Sequence, residues 1–303
     1  MNKKLKIAIL GSGNIGTDLL MKVVRSSYLE CVLFIGRNLS SRGMSKALSL
    51  GMKVSDQSID AIIQNPDCCD LVFDATSALN HKYHAGILEK LNKFVVDLTP
   101  AKVGKLCIPA VNLEECTKYR NVNMVTCGGQ ASIPLAYAIG LTHETVNYIE
   151  VISTIASRSA GAATRVNIDE YVETTEEGLR TFSRCHKAKA ILNLNPALPS
   201  IDMQTTVFAK VERPEINKLQ DAVNIVVKKI QLYVPGYQVI VPPVLENDRI
   251  VIMVKVKGRG DYLPSYAGNL DIINCAAIAV AEEYAKSHLH IKQVHAHAKD
   301  INP

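Results

Sequence analysis

Two short stretches carry residue types whose spacing could do chemistry. Near the start, Gly11-Ser12-Gly13-Asn14-Ile15-Gly16 follows the apolar run Leu5 to Leu10 and opens the amphipathic stretch Ile15 to Arg25. Glycines so placed let a backbone turn tightly and approach a pyrophosphate, with the phosphates facing a helix N-terminus. A further apolar run, Cys31 to Ile35, comes about twenty residues on, the context a dinucleotide fingerprint needs. An ordinary glycine turn is the competing reading. Midway along, Cys127-Gly128-Gly129-Gln130 sets a thiol after the apolar run Asn123 to Thr126 and before a helix predicted to start near Ala131, with Pro134 in its first turn.

Unpaired N–H groups at a helix N-terminus favour a thiolate by about 0.5 to 1 kcal/mol. A lowered thiol pKa is what makes a cysteine reactive at neutral pH. Gly128 and Gly129 remove side chains that would block a substrate carbonyl. Of the eight cysteines no other has this setting: Cys31 falls in an apolar strand, Cys275 on an apolar helix face, and Cys185 in a basic helix beside His186 and Lys187. A thiol merely packed at a strand end is the alternative. A reactive thiol beside a nicotinamide implies one class of reaction. The thiolate adds to an aldehyde, hydride passes to the nicotinamide, and an acyl thioester remains on the cysteine. Water would then release an acid, phosphate an acyl phosphate, and coenzyme A an acyl-CoA.

The elements that must position these groups follow from apolar periodicity. From Leu5 to about Thr126, short apolar runs alternate with helical stretches: Leu5 to Leu10, Cys31 to Ile35, Leu71 to Ala75, Phe94 to Leu98 and Asn123 to Thr126. That rhythm predicts a Rossmann-type, doubly wound parallel sheet. Ala75, Thr76 and Ser77 close one of these strands at the carboxyl edge, where open α/β sheets bind ligands, and are placed near the cofactor; a plain polar turn is the rival. Beyond Cys127, residues 148–155, 205–211 and 249–256 alternate, as strands of a mostly antiparallel sheet with one face covered. Helices over 168–192 and 214–230 would cover it. A last apolar helix, Asn269 to His288, should pack back on the first unit, and the tail with His290, His295 and His297 reads as a frayed terminus more than a metal site. The fold class is therefore α/β, with a dinucleotide-binding domain of residues 1–130 plus 269–303 and an α+β catalytic and dimerisation domain of residues 131–268.

Composition sets the outer bounds. The chain has 303 residues, 48% of them hydrophobic, and a net charge of +5, enough for two cores and too scattered a charge for nucleic acid. No uncharged run spans a bilayer and no signal peptide is evident, so the expected setting is cytoplasmic, with reduced thiols. Cys68-Cys69 is adjacent, which argues against a zinc or thioredoxin-like pair.

Taken jointly, several motifs resemble the acylating acetaldehyde dehydrogenases of aromatic meta-cleavage pathways, over nearly the whole chain. They are Gly11 to Thr17, Cys127-Gly128-Gly129-Gln130-Ala131, Ser159-Ala160-Gly161, Thr164-Arg165-Val166-Asn167-Ile168-Asp169-Glu170, Asn195-Pro196-Ala197, Tyr262-Leu263-Pro264 and Ala267 to Ile272. The resemblance implies that Cys127 is the thioester nucleophile and that Asn167 lies near the nicotinamide and the substrate oxygen. It further implies that Ser159, Ala160, Gly161, Ala162, Ala163, Thr164, Arg165, Val166 and Asn167 line the cofactor site, and that Asn269 touches the cofactor. Such enzymes release acetyl-CoA or propanoyl-CoA, using NAD and coenzyme A. The implied assembly is a homodimer within a hetero-oligomer with 4-hydroxy-2-oxovalerate aldolase. On the residues alone, the Asn167 amide could stabilise an oxyanion, worth about 3 kcal/mol, or cap the helix that follows. Arg165 could meet phosphate or carboxylate, or serve as a structural ion-pair partner.

Three departures from the family pattern stand out. Ala162-Ala163 replaces a common Pro-Gly, so the cofactor loop should be shaped differently. An aspartate proposed to assist proton transfer in relatives aligns with Thr205, leaving Asp202 as the nearest candidate carboxylate. Arg37 stands where an NAD site often places an acid for the ribose 2′-hydroxyl, so NADP is a possible cofactor beside NAD. Two rivals remain: a phosphorylating semialdehyde dehydrogenase, whose thiol would pair with a histidine base, a reading weakened because His143 and His186 fall in predicted helices without an obvious site context, and a non-catalytic dinucleotide sensor.

Overall fold

A computed structural model describes residues 4–300, with the side chains of residues 290–300 excepted. The first sheet uses β1 (Leu5–Leu10), β2 (Leu29–Ile35), β3 (Val54–Ser55), β4 (Leu71–Asp74), β5 (Phe94–Asp97), β6 (Lys105–Leu106) and β7 (Asn121–Asn123). Its order is β3-β2-β1-β4-β5-β7-β6, and every pairing is parallel. The central strands are buried on both faces, which is why Leu5 to Leu10 and Leu71 to Asp74 read as near-continuous apolar runs. Helices α1 (Asn14–Arg25), α2 (Arg42–Ser49), α3 (Asp60–Ile63), α4 (Ala78–Lys90) and α5 (Pro109–Cys116) connect the strands.

The second sheet uses β8 (Val146–Ala156), β9 (Lys187–Asn195), β10 (Met203–Val211), β11 (Tyr237–Glu246) and β12 (Arg249–Val256), in the order β11-β12-β10-β8-β9. Only the β8·β9 pairing is parallel. Helices α6 (Cys127–Thr142), α8 (Ile168–Ser183) and α9 (Ile216–Gln231) accompany this sheet, with the short α7 (Ala162–Val166) ahead of α8. The α/β expectation holds, and the alternating runs fall in β8, β10 and β12.

Several boundaries differ from expectation. Asn123 to Thr126 is not a strand: β7 ends at Asn123, whose Oδ1 accepts from the Val125 N–H at 2.8 Å, and Val125 takes a left-handed φ of 60°. That turn lifts the chain out of the sheet early, so α6 starts at Cys127 rather than near Ala131 and encloses Pro134. The expected helix over 168–192 is cut at Arg184, which adopts φ 59° at the C-cap, and Lys187 onward becomes β9. Cys185 and His186 therefore lie in a connection, not a helix. The edge strand β11 was unread because it carries Pro242 and Pro243, tolerated only at an edge or an irregularity, and its register shifts there.

The final helix α10 (Gly268–Asp300) is longer than expected. The backbone of the tail read as frayed continues it to Asp300, and the side chains of His290, His295 and His297 lie outside the described residues. Ile273, Ala276, Ala277, Val280 and Ala281 join one core with Leu5, Ile7, Leu19 and Phe94. Lys22 of α1 pins this return: its ammonium donates to Asp18 at 2.9 Å and to Asp261 and Asp271 at 2.8 Å each, almost wholly buried. Asn274 Nδ2 donates to the same Asp18 carboxylate at 2.7 Å. Among the described residues no helix is long and apolar enough to cross a membrane.

Candidate active site

Gly11 ends β1 in a backbone that suits glycine, with φ +118°, and a Cβ there would stand 2.5 Å from the Ala75 carbonyl oxygen. Gly16 lets α1 sit directly on that turn, since its Cβ would fall 1.8 Å from the Gly11 oxygen. Gly13, by contrast, faces open space, with nothing within 4 Å of an added Cβ. It is the N-cap of α1 and offers no side chain to the first amides of that helix. The helix thus starts without a side-chain cap at the edge of a cavity of about 460 Å³ that Gly13, Asn14 and Ile15 line.

Gly11, Ser12, Gly13, Asn14 and Ile15 line this cavity on one side and Ala75, Thr76 and Ser77 on another. Arg37, exposed, stands at its rim, while Ser159, Gly161, Ala162, Ala163, Thr164, Val166 and Asn167 close the far wall. Gly16, Ala160 and Arg165 do not line it. The Arg165 guanidinium instead donates to the Ser157 carbonyl and hydroxyl at 2.9 Å and to the Ala160 carbonyl at 3.3 Å, which holds its own loop in shape. The volume and the open, N–H-lined cradle at Gly13 fit a dinucleotide.

A smaller recess of about 60 Å³ opens from the same space and shares Ile15, Ala75, Thr76, Ala163, Thr164, Asn167 and Leu270 with it. Cys127 lies in this recess with Thr126, Tyr171 and Asn269. Its position is fixed by Thr126, the N-cap of α6, whose Oγ1 accepts from the Gly129 N–H at 2.8 Å. The thiol is half-buried and touches both large cores. Burial pushes it up to about 11, and the Tyr171 hydroxyl and the N–H groups of Gly128 and of Cys127 itself pull it down without prevailing. The expected thiolate at neutral pH is corrected accordingly: a helix N-terminus contributes less than desolvation removes.

Asn167 is buried between α7 and α8. Its Nδ2 donates to the Ala163 carbonyl at 2.6 Å, and its Oδ1 accepts from the Ala78 N–H at 3.3 Å, tying this wall to the start of α4. It occupies the N-cap position of α8 without making a side-chain capping bond. Asp202 is not brought to the thiol; it sits just before β10, outside both cavities. Thr205 is nearer the chemistry, buried, with its Oγ1 at 3.0 Å from Ser153 Oγ.

No histidine and no carboxylate lines either cavity among the described residues. His143 is the C-cap of α6, where its Nε2 accepts from the Glu215 N–H at 3.1 Å, and His186 is exposed. Sequence reasoning missed Tyr171, Thr126 and Thr99. Tyr171 sits one turn beyond Asn167 on the face that α8 turns inward, a spacing that could have flagged it.

Comparisons with known proteins bear on the same residues. The family described as prokaryotic acetaldehyde dehydrogenase, dimerisation, matches residues 127–264. An acetaldehyde dehydrogenase of Spirochaeta aurantia is 61% identical over 285 residues, 94% of this chain and 96% of that protein. One of Pectobacterium atrosepticum is 58% identical over 284 residues, 93% and 96% of the two chains. In fold, the chain resembles the crystal structure of aspartate semialdehyde dehydrogenase with NADP from Candida albicans, with a TM-score of 0.62 at 10% identity, covering 93% of this chain and 100% of that one. Aspartate semialdehyde dehydrogenase II from Vibrio cholerae gives a TM-score of 0.64 at 12% identity, covering 92% and 98%.

Proposed function

We propose, from the premise that the chain belongs to the acetaldehyde dehydrogenase family, that it is an acylating enzyme converting acetaldehyde or propanal, coenzyme A and NAD to acyl-CoA and NADH. The observation that carries this reading is the recess holding Cys127, which opens into the dinucleotide-sized cavity through shared walls. When bound there, a nicotinamide accepts hydride. The chain's own residues do the rest. Cys127 forms the carbon–sulfur bond to the aldehyde, and Asn167, whose Nδ2 carries a second N–H, offers that proton to the developing oxyanion.

The acyl acceptor follows from what the recess lacks. With no histidine or carboxylate lining it, no side chain there is fitted to activate water, and no arginine is present to hold phosphate. Coenzyme A brings its own thiol, so thioester exchange is favoured over hydrolysis. The phosphorylating alternative is not favoured. We take NAD as the cofactor, with Arg37 at the rim as the group through which a 2′-phosphate would be accepted. Residues 1–130 with 269–303 serve as the cofactor-binding unit and residues 131–268 as the catalytic and dimerising unit of a homodimer, with 4-hydroxy-2-oxovalerate aldolase as the proposed partner.

The decisive assay supplies acetaldehyde with NAD or NADP and offers coenzyme A, phosphate or water as acceptor. Acyl-CoA formation at least tenfold above acetate or acyl phosphate is expected. Cys127→Ala should abolish turnover while NAD affinity stays within about twofold; residual turnover in that variant would remove the thioester from the scheme.

A further inference from the structure

A thiol that burial keeps protonated, in a recess without a histidine or carboxylate, needs donors that favour its ionised form when it reacts, and what surrounds Cys127 is hydroxyl. Tyr171 is almost fully buried, and its Oη stands against the Cα of Gly128, close enough that a Cβ there would lie 1.9 Å away. The same Cβ would lie 2.7 Å from Ser153 Oγ. Ser153 is held from behind by Thr205 at 3.0 Å, and Thr175 donates to the Tyr171 carbonyl at 2.7 Å while meeting Thr126 at 2.7 Å.

Within this cluster the phenol is set apart. Tyr237, the other large buried tyrosine, donates its hydroxyl to the Ala131 carbonyl at 2.7 Å. Tyr171 Oη has Ser153, Thr126 and Cys127 around it, close enough to act on its titration, yet none completes a well-aligned hydrogen bond. A buried O–H without an acceptor is costly to keep. The sulfur of Cys127, once ionised, is the acceptor that this phenol and the Gly128 N–H both face.

We propose that Tyr171, with the Gly128 backbone N–H, donates a hydrogen bond to the Cys127 thiolate and orients the sulfur for attack. The inference rests on the reading of Cys127 as the nucleophile and adds a positioning donor for its ionised form. The thiol proton leaves to water, and Tyr171 keeps its own, acting as a donor and not as a base. Thr205 holds the Ser153 hydroxyl beside the phenol, and the tight packing of Tyr171 against Gly128 keeps the donor in place before substrate arrives.

The test is the rate of Cys127 alkylation by iodoacetamide against pH, in the intact protein without substrate. Tyr171→Phe removes one oxygen that has no aligned partner, so thermal midpoint and NAD affinity should stay near those of the parent. Its alkylation profile should move up by about one pH unit, and its rate at pH 8 should fall about three- to tenfold, the rise in intrinsic nucleophilicity offsetting part of the lost thiolate. An unmoved profile would overturn the proposal. Should the variant not fold, replacing tyrosine with 3-fluorotyrosine, a more acidic phenol and stronger donor, should move the profile down; no movement would also overturn it. Acyl-CoA formation by the parent protein reports separately on the functional reading, because alkylation needs neither acceptor nor aldehyde.

Discussion

At the scale of single residues, the chemistry turns on a sulfur whose surroundings oppose its charge. Burial pushes the Cys127 thiol up to about 11. Alkylation of the ligand-free protein should therefore rise close to tenfold per pH unit from pH 7 to pH 10, because the thiolate fraction grows by that factor below the pKa. A stopped-flow iodoacetamide titration reads this directly, and a plateau beginning below pH 8 would contradict it. Much of this site was legible in the sequence. Gly11 to Gly16 could be placed because a tight turn and a helix start leave a composition signature, and Cys127 because two glycines follow it. Tyr171 was legible only as an inward-facing residue one turn beyond Asn167, since a tyrosine in an amphipathic helix looks the same whether its hydroxyl meets a sulfur or a backbone carbonyl. Asp202 lies outside both cavities, and proximity in sequence to Thr205 could not have told on which side of a strand's start that carboxylate falls.

At the scale of elements, the structure depends on how α10 is fastened to α1. Lys22 satisfies three carboxylates at once, and the pull of Asp18 and Asp271 holds its ammonium above the usual lysine range against the burial that opposes it. Lys22→Met would leave Asp18, Asp261 and Asp271 facing one another. The expected cost is about 3–5 kcal/mol, as for other buried pairs broken on one side, measurable by urea unfolding at pH 7. Lost Asn269 geometry should weaken NAD binding as well, because that residue opens α10 and lines the Cys127 recess. These contacts join residues some 240 to 250 positions apart, so no local pattern announces them. Strands β1 and β4 were legible because burial on both faces leaves near-continuous apolar runs, and β12 because its residues alternate. The β9 segment misled: Lys187-Ala188-Lys189-Ala190-Ile191-Leu192 is built largely of good helix formers, and only its place beside β8 makes it a strand.

At the scale of the whole molecule, stability should carry a pH signature from a buried network under the first sheet. Asp74 accepts from His81 and His84 at 2.9 and 2.8 Å, and His81 also meets Asp97 at 3.3 Å, all nearly inaccessible to water. Burial works against the charge of Asp74, but the two histidines hold it well below the usual carboxylate range. Burial, helped by Asp74, pushes Asp97 up to about 7. Folding therefore keeps a proton on Asp97 that the unfolded chain releases near pH 4, so its contribution is full below that value and is lost as pH rises toward 7. One such proton is worth at most about 1.4 kcal/mol per pH unit. Asp97→Asn should flatten the fall in unfolding free energy between pH 5 and pH 7; an unchanged slope would assign the proton elsewhere.

The return of the last helix to the first sheet also sets a timetable. The five-stranded sheet is drawn from one uninterrupted stretch of chain, β8 to β12. The core around Leu5, Ile7, Leu19 and Phe94 lacks a wall until Ile273 to Ala285 arrive. On a translating ribosome, the half that is made first is thus the half that finishes last. Its open apolar flank must wait for nearly the entire polypeptide, and nascent-chain chaperones would find their longest-lived target there.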